Sequence, residues 1–360
     1  MSGWRVVIHR SIWRRSLLAF LLIGLFPVQR EQVANTSGLA LTQDKPYRLL
    51  QEAQIRLSPW ELVMAVAWTP DGDFLSFSAG NSIHVYQQEN WKPLASLEIG
   101  ALTHSLAFSP DGLWLAAASR DGKLRLWRAK DLLAGQETEP QISLFAHRKG
   151  ANSLAFSPNG LILATGGNDA IARFWDLNSG RVIGTAIGGT FAVPSIAFSP
   201  DGKLLAVVNG DLVRLREFGT ERIVGTFLAE VPLYQVAFTP DGKLLAATGS
   251  DNAIRLWNSG DGYRTGKENY PEPLILTGHH GTPGSFRSLV WQAAFSPDGL
   301  LLASAGGDAT VRLWDVAAGS LLDTHQAHPG GATCLSFSPD GSRLASGGLD
   351  GRIVIWKILR

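Results

Sequence analysis

A single cysteine, Cys334, stands in 360 residues, so the chain can form no intramolecular disulfide and hold no cysteine-based zinc cluster. Also missing are a Gly-x-Ser-x-Gly elbow, a phosphate loop ending in Gly-Lys-Ser/Thr, and paired histidines at the helical spacing of a metalloprotease. Catalytic, cofactor-binding and metal-ligating residues are therefore expected to be none. Positive charge is scarce outside the N-terminus. Net charge is +1, but Arg5, Arg10, Arg14, Arg15 and Arg30 face no acid within the first 30 residues, leaving 27 basic against 31 acidic residues elsewhere, a net of −4. A phosphate-binding surface needs clustered Lys and Arg, so nucleic acid is not an expected partner.

Long apolar runs are absent as well. Leu17–Phe26 is an unbroken apolar stretch ended by Pro27. As a helix it would reach only about 15 Å, half of a bilayer core. Residues 1–45 read as a leader with an Arg-rich start, and Arg14-Arg15-Ser16-Leu17-Leu18 partly matches a twin-arginine export signal, although Trp13 departs from it. The cleavage context is poor: Ala34 suits it, but Gln32 is not small. No cysteine follows to carry a lipid anchor. Export is the favoured reading. A start codon placed too far upstream in a cytoplasmic protein is the alternative, and membrane contact is expected only through an uncleaved leader.

What the chain does have is repetition. An aromatic residue, Ser or Thr, Pro, Asp or Asn, and Gly recur from Trp68, Phe108, Phe156, Phe198, Phe238, Phe295 and Phe337, at steps of 40, 48, 42, 40, 57 and 42 residues. A period near 40 means one supersecondary unit that buries its core only against its copies. Alternating runs such as Ser105–Phe108 and Gln235–Phe238 precede each turn and read as strands. Second strands follow, as in Leu113–Ala118, Leu161–Thr165 and Leu300–Ser304. Third strands end in Trp127, Trp175, Trp257, Trp314 and Trp356, each 19 positions after its motif aromatic and six after an Asp. A weaker fourth strand follows. Four antiparallel strands repeated seven times predict an all-β, seven-bladed propeller over residues 46–360. The last unit lacks a fourth strand, and Arg48–Leu57 is expected to supply it and close the ring.

The chain resembles the WD40-repeat propellers, bacterial-type WD40 repeat proteins included. Gly306-Gly307-Asp308 to Trp314-Asp315 and Ala164-Thr165-Gly166 to Trp175-Asp176 carry the resemblance, with His147 and His328 each nine residues before a motif aromatic. The resemblance implies a buried hydrogen-bonded set of Asp, His, Ser or Thr, and Trp in each blade. It assigns His147, Thr165, Asp169 and Trp175 in blade three, and His328, Ser346, Asp350 and Trp356 in blade seven. Blade six has Ser304, Asp308 and Trp314 with His280, or else its neighbour His279. Blades two and five have Ala117 and Ala247 at the hydroxyl position, leaving Asp121 with neither partner. Blades one and four replace the Trp with Tyr86 and Arg216.

The resemblance also implies that the residue before each Asp points outward on one face. Arg120, Asn168, Ser250 and Leu349 are thus candidate partner-binding residues, with Arg148 beside them. Insertions occur at Ala129–Pro140, Ser259–Pro273 and Gly281–Ser288, and only the last should join the face of the Asp turns. They serve either recognition or nothing beyond tolerated drift. The expected function is a non-catalytic scaffold binding a protein or peptide on a propeller face. The alternative is an enzyme or small-ligand sensor using the central channel.

Overall fold

The recurring motif is a self-contained turn. Ser199 donates its hydroxyl proton to Asp201 at 2.6 Å and accepts the Leu204 amide at 2.9 Å, while Asp201 also accepts the Lys203 amide at 3.1 Å. The same Ser/Thr-to-Asp bond recurs in the other units, with Asn159 serving equally as acceptor in one. Gly202 closes the turn with φ +70°, where a Cβ would be strained. The motif proline has a separate task. A methyl group added to Gly242 would stand 3.3 Å from the Pro200 ring of the preceding unit, and Gly72 meets Pro339 likewise, so the turns touch in a closed circle.

The computed structural model describes residues 47–360 apart from 59, 137, 188, 221, 263–268 and 283; the leader reading lies outside the described residues. Seven four-stranded antiparallel sheets form seven blades. Six are continuous in sequence. The seventh takes Ala332–Phe337, Arg343–Gly348 and Arg352–Leu359 from the C-terminal end and Arg48–Arg56 as its outer strand. Arg48 pairs with Leu359 and Arg56 with Arg352, with a bulge between Gln51 and Ala53. Two side-chain contacts fix this strand. Asp323 accepts the Leu49 amide at 2.8 Å, and Arg343 grips Glu52 through two nitrogens at 2.8 and 3.0 Å.

There is no single hydrophobic centre. Each of the seven buried clusters lies between neighbouring blades. One joins Ala65, Ile83 and Leu97 to Leu106, Leu115 and Trp127 of the next blade. Another joins Trp68 and Phe77 to Cys334, Ala345 and Ile355 across the ring closure. Burial there raises the Cys334 thiol pKa to about 12, consistent with a packing role. Inner strands are also tied by hydrogen bonds. In four inner strands an amide just past a register break is accepted by a side chain of the preceding blade: Ser105 for Leu154, Ser195 for Val236, Gln235 for Ala293 and Gln292 for Leu335.

Three of the second strands begin one residue later than the sequence pattern predicts, at Trp114, Ile162 and Leu301. Leu113, Leu161 and Leu300 stay in the turn with exposed side chains, because the side-chain oxygen of Asp111, Asn159 or Asp298 holds their amides.

Candidate functional site

The antiparallel layout puts the Asp turns, the starts of the inner strands and the links between blades at the same end of the ring. Blade struts set the shape of that end. In blade three, Asp169 lies 2.8 Å from His147 Nδ1, His147 Nε2 lies 2.9 Å from the Thr165 hydroxyl, and Trp175 donates its indole N–H to that hydroxyl at 2.9 Å. Blade seven repeats this with Asp350, His328, Ser346 and Trp356. A carboxylate only accepts, so Nδ1 carries the imidazole proton. The hydroxyl then gives its proton to Nε2 and takes the indole's. Burial holds the His147 pKa below its ordinary range, against the opposing pull of Asp169.

In blade six His279, not His280, fills the position. His279 sits 3.0 Å from Asp308 and 2.7 Å from Ser304, and Trp314 donates to Ser304 at 2.9 Å. The His279 side chain is 2% exposed and that of His280 is 71% exposed. His280 contributes its backbone amide to Asp308 instead. The Gly281–Ser288 insertion removes the nine-residue count to the motif aromatic. Counting from the outer strand recovers it, since a small residue precedes each strut histidine: Ala146, Gly278 and Ala327.

Blades two and five are built differently. Asp121 is not idle: it pairs with Arg125 at 2.6 Å, and Asp251 pairs with Arg255 at 2.7 Å. With Ala117 and Ala247 offering no hydroxyl, Trp127 donates to the Thr138 carbonyl and Trp257 to the Pro271 carbonyl, both at 3.1 Å. Those carbonyls belong to the two insertions on the opposite face. Each insertion also leans on the preceding blade. Leu132, from the short helix Ala129–Leu133, is buried with Leu97, and Gly262 approaches Gly225 so closely that a Cβ would fall 2.7 Å from its Cα.

On the Asp-turn face, Arg120 and Arg148 are exposed, Ser250 and Leu349 half-buried. Asn168 is exposed, yet its amide is engaged at both ends, donating to the Lys149 carbonyl and accepting from Asn152. The Gly281–Ser288 loop does lie on this face. Asn252 donates to the Gly281 carbonyl and the Ser288 hydroxyl to the Ser250 carbonyl. Sequence reasoning missed the apolar part of the face. Tyr234 and Trp291 hold the same second position of their inner strands, with ring centroids 5.5 Å apart, and Phe286 of the loop extends the contact at 5.3 Å. Trp60 is 87% exposed. Among the described residues no group of three His, Cys, Asp or Glu is placed to hold a metal ion.

The family model described as WD domain, G-beta repeat matches residues 92–128, 138–176, 222–258, 273–315 and 319–357, together just over half of the chain. The first three strands of blades one and four fall outside these matches, and there Tyr86 and Arg216 replace the Trp. A rice small ribosomal subunit protein, RACK1y, is 36% identical over 85 residues, covering 23% of this chain and 25% of that protein. An uncharacterized WD repeat-containing protein of Synechocystis is 29% identical over 143 residues, 39% of this chain and 37% of its own. The nuclear distribution protein PAC1 of Fusarium vanettenii is 38% identical over 80 residues, 22% of this chain and 16% of its own. The chain therefore covers well under two thirds of each relative.

Proposed function

Since the chain belongs to the WD40 repeat family, we propose that it is a non-catalytic interaction scaffold that binds a protein or peptide on the Asp-turn face. The observation that carries this reading is the composition of that face. Exposed Trp60 and the half-buried Tyr234, Trp291, Phe286 and Leu349 stand with exposed Arg120 and Arg148 around one channel mouth. Aromatic residues and Arg are the types enriched where proteins bind one another. The residues that would suggest chemistry are engaged elsewhere: His147, His279 and His328 each brace a blade between a carboxylate and a hydroxyl.

The test compares partner capture by the wild type with two double variants of unchanged melting temperature. Arg120→Glu with Leu349→Asp should abolish capture, and Leu113→Asp with Leu161→Asp, on the opposite face, should not. The reverse pattern would assign recognition to the opposite face. Turnover of a small molecule that survives both pairs would favour the channel as an active site.

A further inference from the structure

The Asp-turn face has two chemically distinct halves. Second positions of the inner strands place His104 and Asn152 in blades two and three, but Tyr234 and Trp291 in blades five and six. Around the first pair stand three exposed cations, Arg120, Arg148 and Lys149. The carboxylates of the two Asp turns in these blades are already committed: Asp121 to Arg125, and Asp169 to His147 and Arg173. Burial and the nearby Arg120 charge both lower the His104 pKa, so the positive charge of this half comes from the three long side chains. The other half is the continuous ring contact of Tyr234, Trp291 and Phe286, with Phe286 lying over Gly331 at the entry to blade seven.

We propose that the partner is a peptide segment with two unlike ends, carboxylate side chains on Arg120, Arg148 and Lys149 and an apolar side chain on Tyr234, Trp291 and Phe286. This rests on the Asp-turn face being the binding face. Charge complementarity selects the acidic end, since an unpaired cation cluster disfavours a basic partner. The apolar end is selected because three adjoining aromatic rings still expose apolar area, and covering it is favourable in proportion to the area removed from water. Position on the ring separates the two ends. Blades two and three lie across the channel from blades five and six, so a single short motif of adjacent acidic and apolar residues would satisfy only one half.

A phage-displayed library of random 16-residue peptides, panned on the immobilised full chain, tests this; the length follows from about 3.3 Å per extended residue, enough to span a channel mouth. Enriched peptides should carry Asp or Glu at one end and an aromatic or large aliphatic residue toward the other. Binding should weaken as salt rises. Arg120→Glu with Lys149→Glu should weaken them by roughly tenfold or more and shift a repeat selection toward Lys and Arg. Phe286→Ser, at a half-buried position of the Gly281–Ser288 loop, should weaken them without moving the salt dependence. Melting temperatures confirm that each variant is folded. Peptides that compete for this face without an acidic bias would overturn the inference and leave the scaffold reading intact. Peptides insensitive to every change on this face but lost in Leu113→Asp with Leu161→Asp would overturn both. A selection that enriches nothing counts against the inference as well.

Discussion

The indole N–H of Trp127 is held by the backbone carbonyl of Thr138, 3.1 Å away, in a blade whose hydroxyl position is Ala117. Trp257 and Pro271 repeat the arrangement beside Ala247. The two long connections between third and fourth strands thus occur in the two blades with a Trp and no hydroxyl to receive it. These insertions are replacement parts. Trp175→Phe should cost about 1–3 kcal/mol, because it leaves the buried Thr165 with an unused acceptor inside a braced network. Trp127→Phe should cost about 0.5–1.5 kcal/mol, since the half-buried Thr138 carbonyl lies within reach of water. Urea denaturation of both variants measures the difference.

Asp121→Ala should destabilise despite the absent histidine. It removes the partner of Arg125, whose side chain is only 10% exposed. Adding Arg125→Leu should recover part of the loss, as deleting both members of a buried pair is cheaper than deleting one. A double-mutant cycle on melting temperature should show coupling at this pair and none between Asp121 and Asp350.

Acid should weaken the fold before any carboxylate titrates. Burial holds His147 and His279 below the ordinary value of 6.5, so the folded chain keeps them neutral while the unfolded chain takes up protons. The stability they confer is complete above pH 6.5 and declines as the pH falls below it. The depressed Asp169 and Asp308 carboxylates add a separate loss only below about 3.8. Melting temperature should drop between pH 7.5 and 5.5, and a His147→Gln, His279→Gln variant should be less stable at pH 7.5 but show a flatter slope.

Residues 1–45 should prove separable from the ring. Their removal is expected to leave the melting temperature unchanged, whereas removal through Leu57 exposes the edge of Arg352–Leu359 and should cause aggregation visible by light scattering. Asp323→Ala, which frees the Leu49 amide, should raise hydrogen exchange in Arg48–Arg56 selectively.

The blades were legible because each of their signals is local. The Ser-Pro-Asp-Gly turn forms from its own hydroxyl, carboxylate and positive-φ glycine, and the Asp-to-Trp spacing lies within one hairpin. Closure by Arg48–Arg56 was legible by counting strands. The strut histidine of blade six was not, because an eight-residue insertion broke the count on which His147 and His328 rest. Nor was the pairing of Tyr234 with Trp291, 57 positions apart, since only the blade-to-blade register brings equal positions together. Replacement of a hydroxyl by a distant carbonyl leaves no residue type to recognise, as every residue carries one.

Arg48 and Leu359 pair across 311 positions of chain (359 − 48). At a synthesis rate of about 5–20 residues per second, the first strand waits roughly 15–60 s for its partner. By the end of that interval the growing ring is an open horseshoe with six complete blades and two raw edges, and the strand Arg352–Leu359 that closes it does not yet exist. A chain cut short just before Arg352 would keep that horseshoe open, because the strand that receives Arg48–Arg56 would be missing.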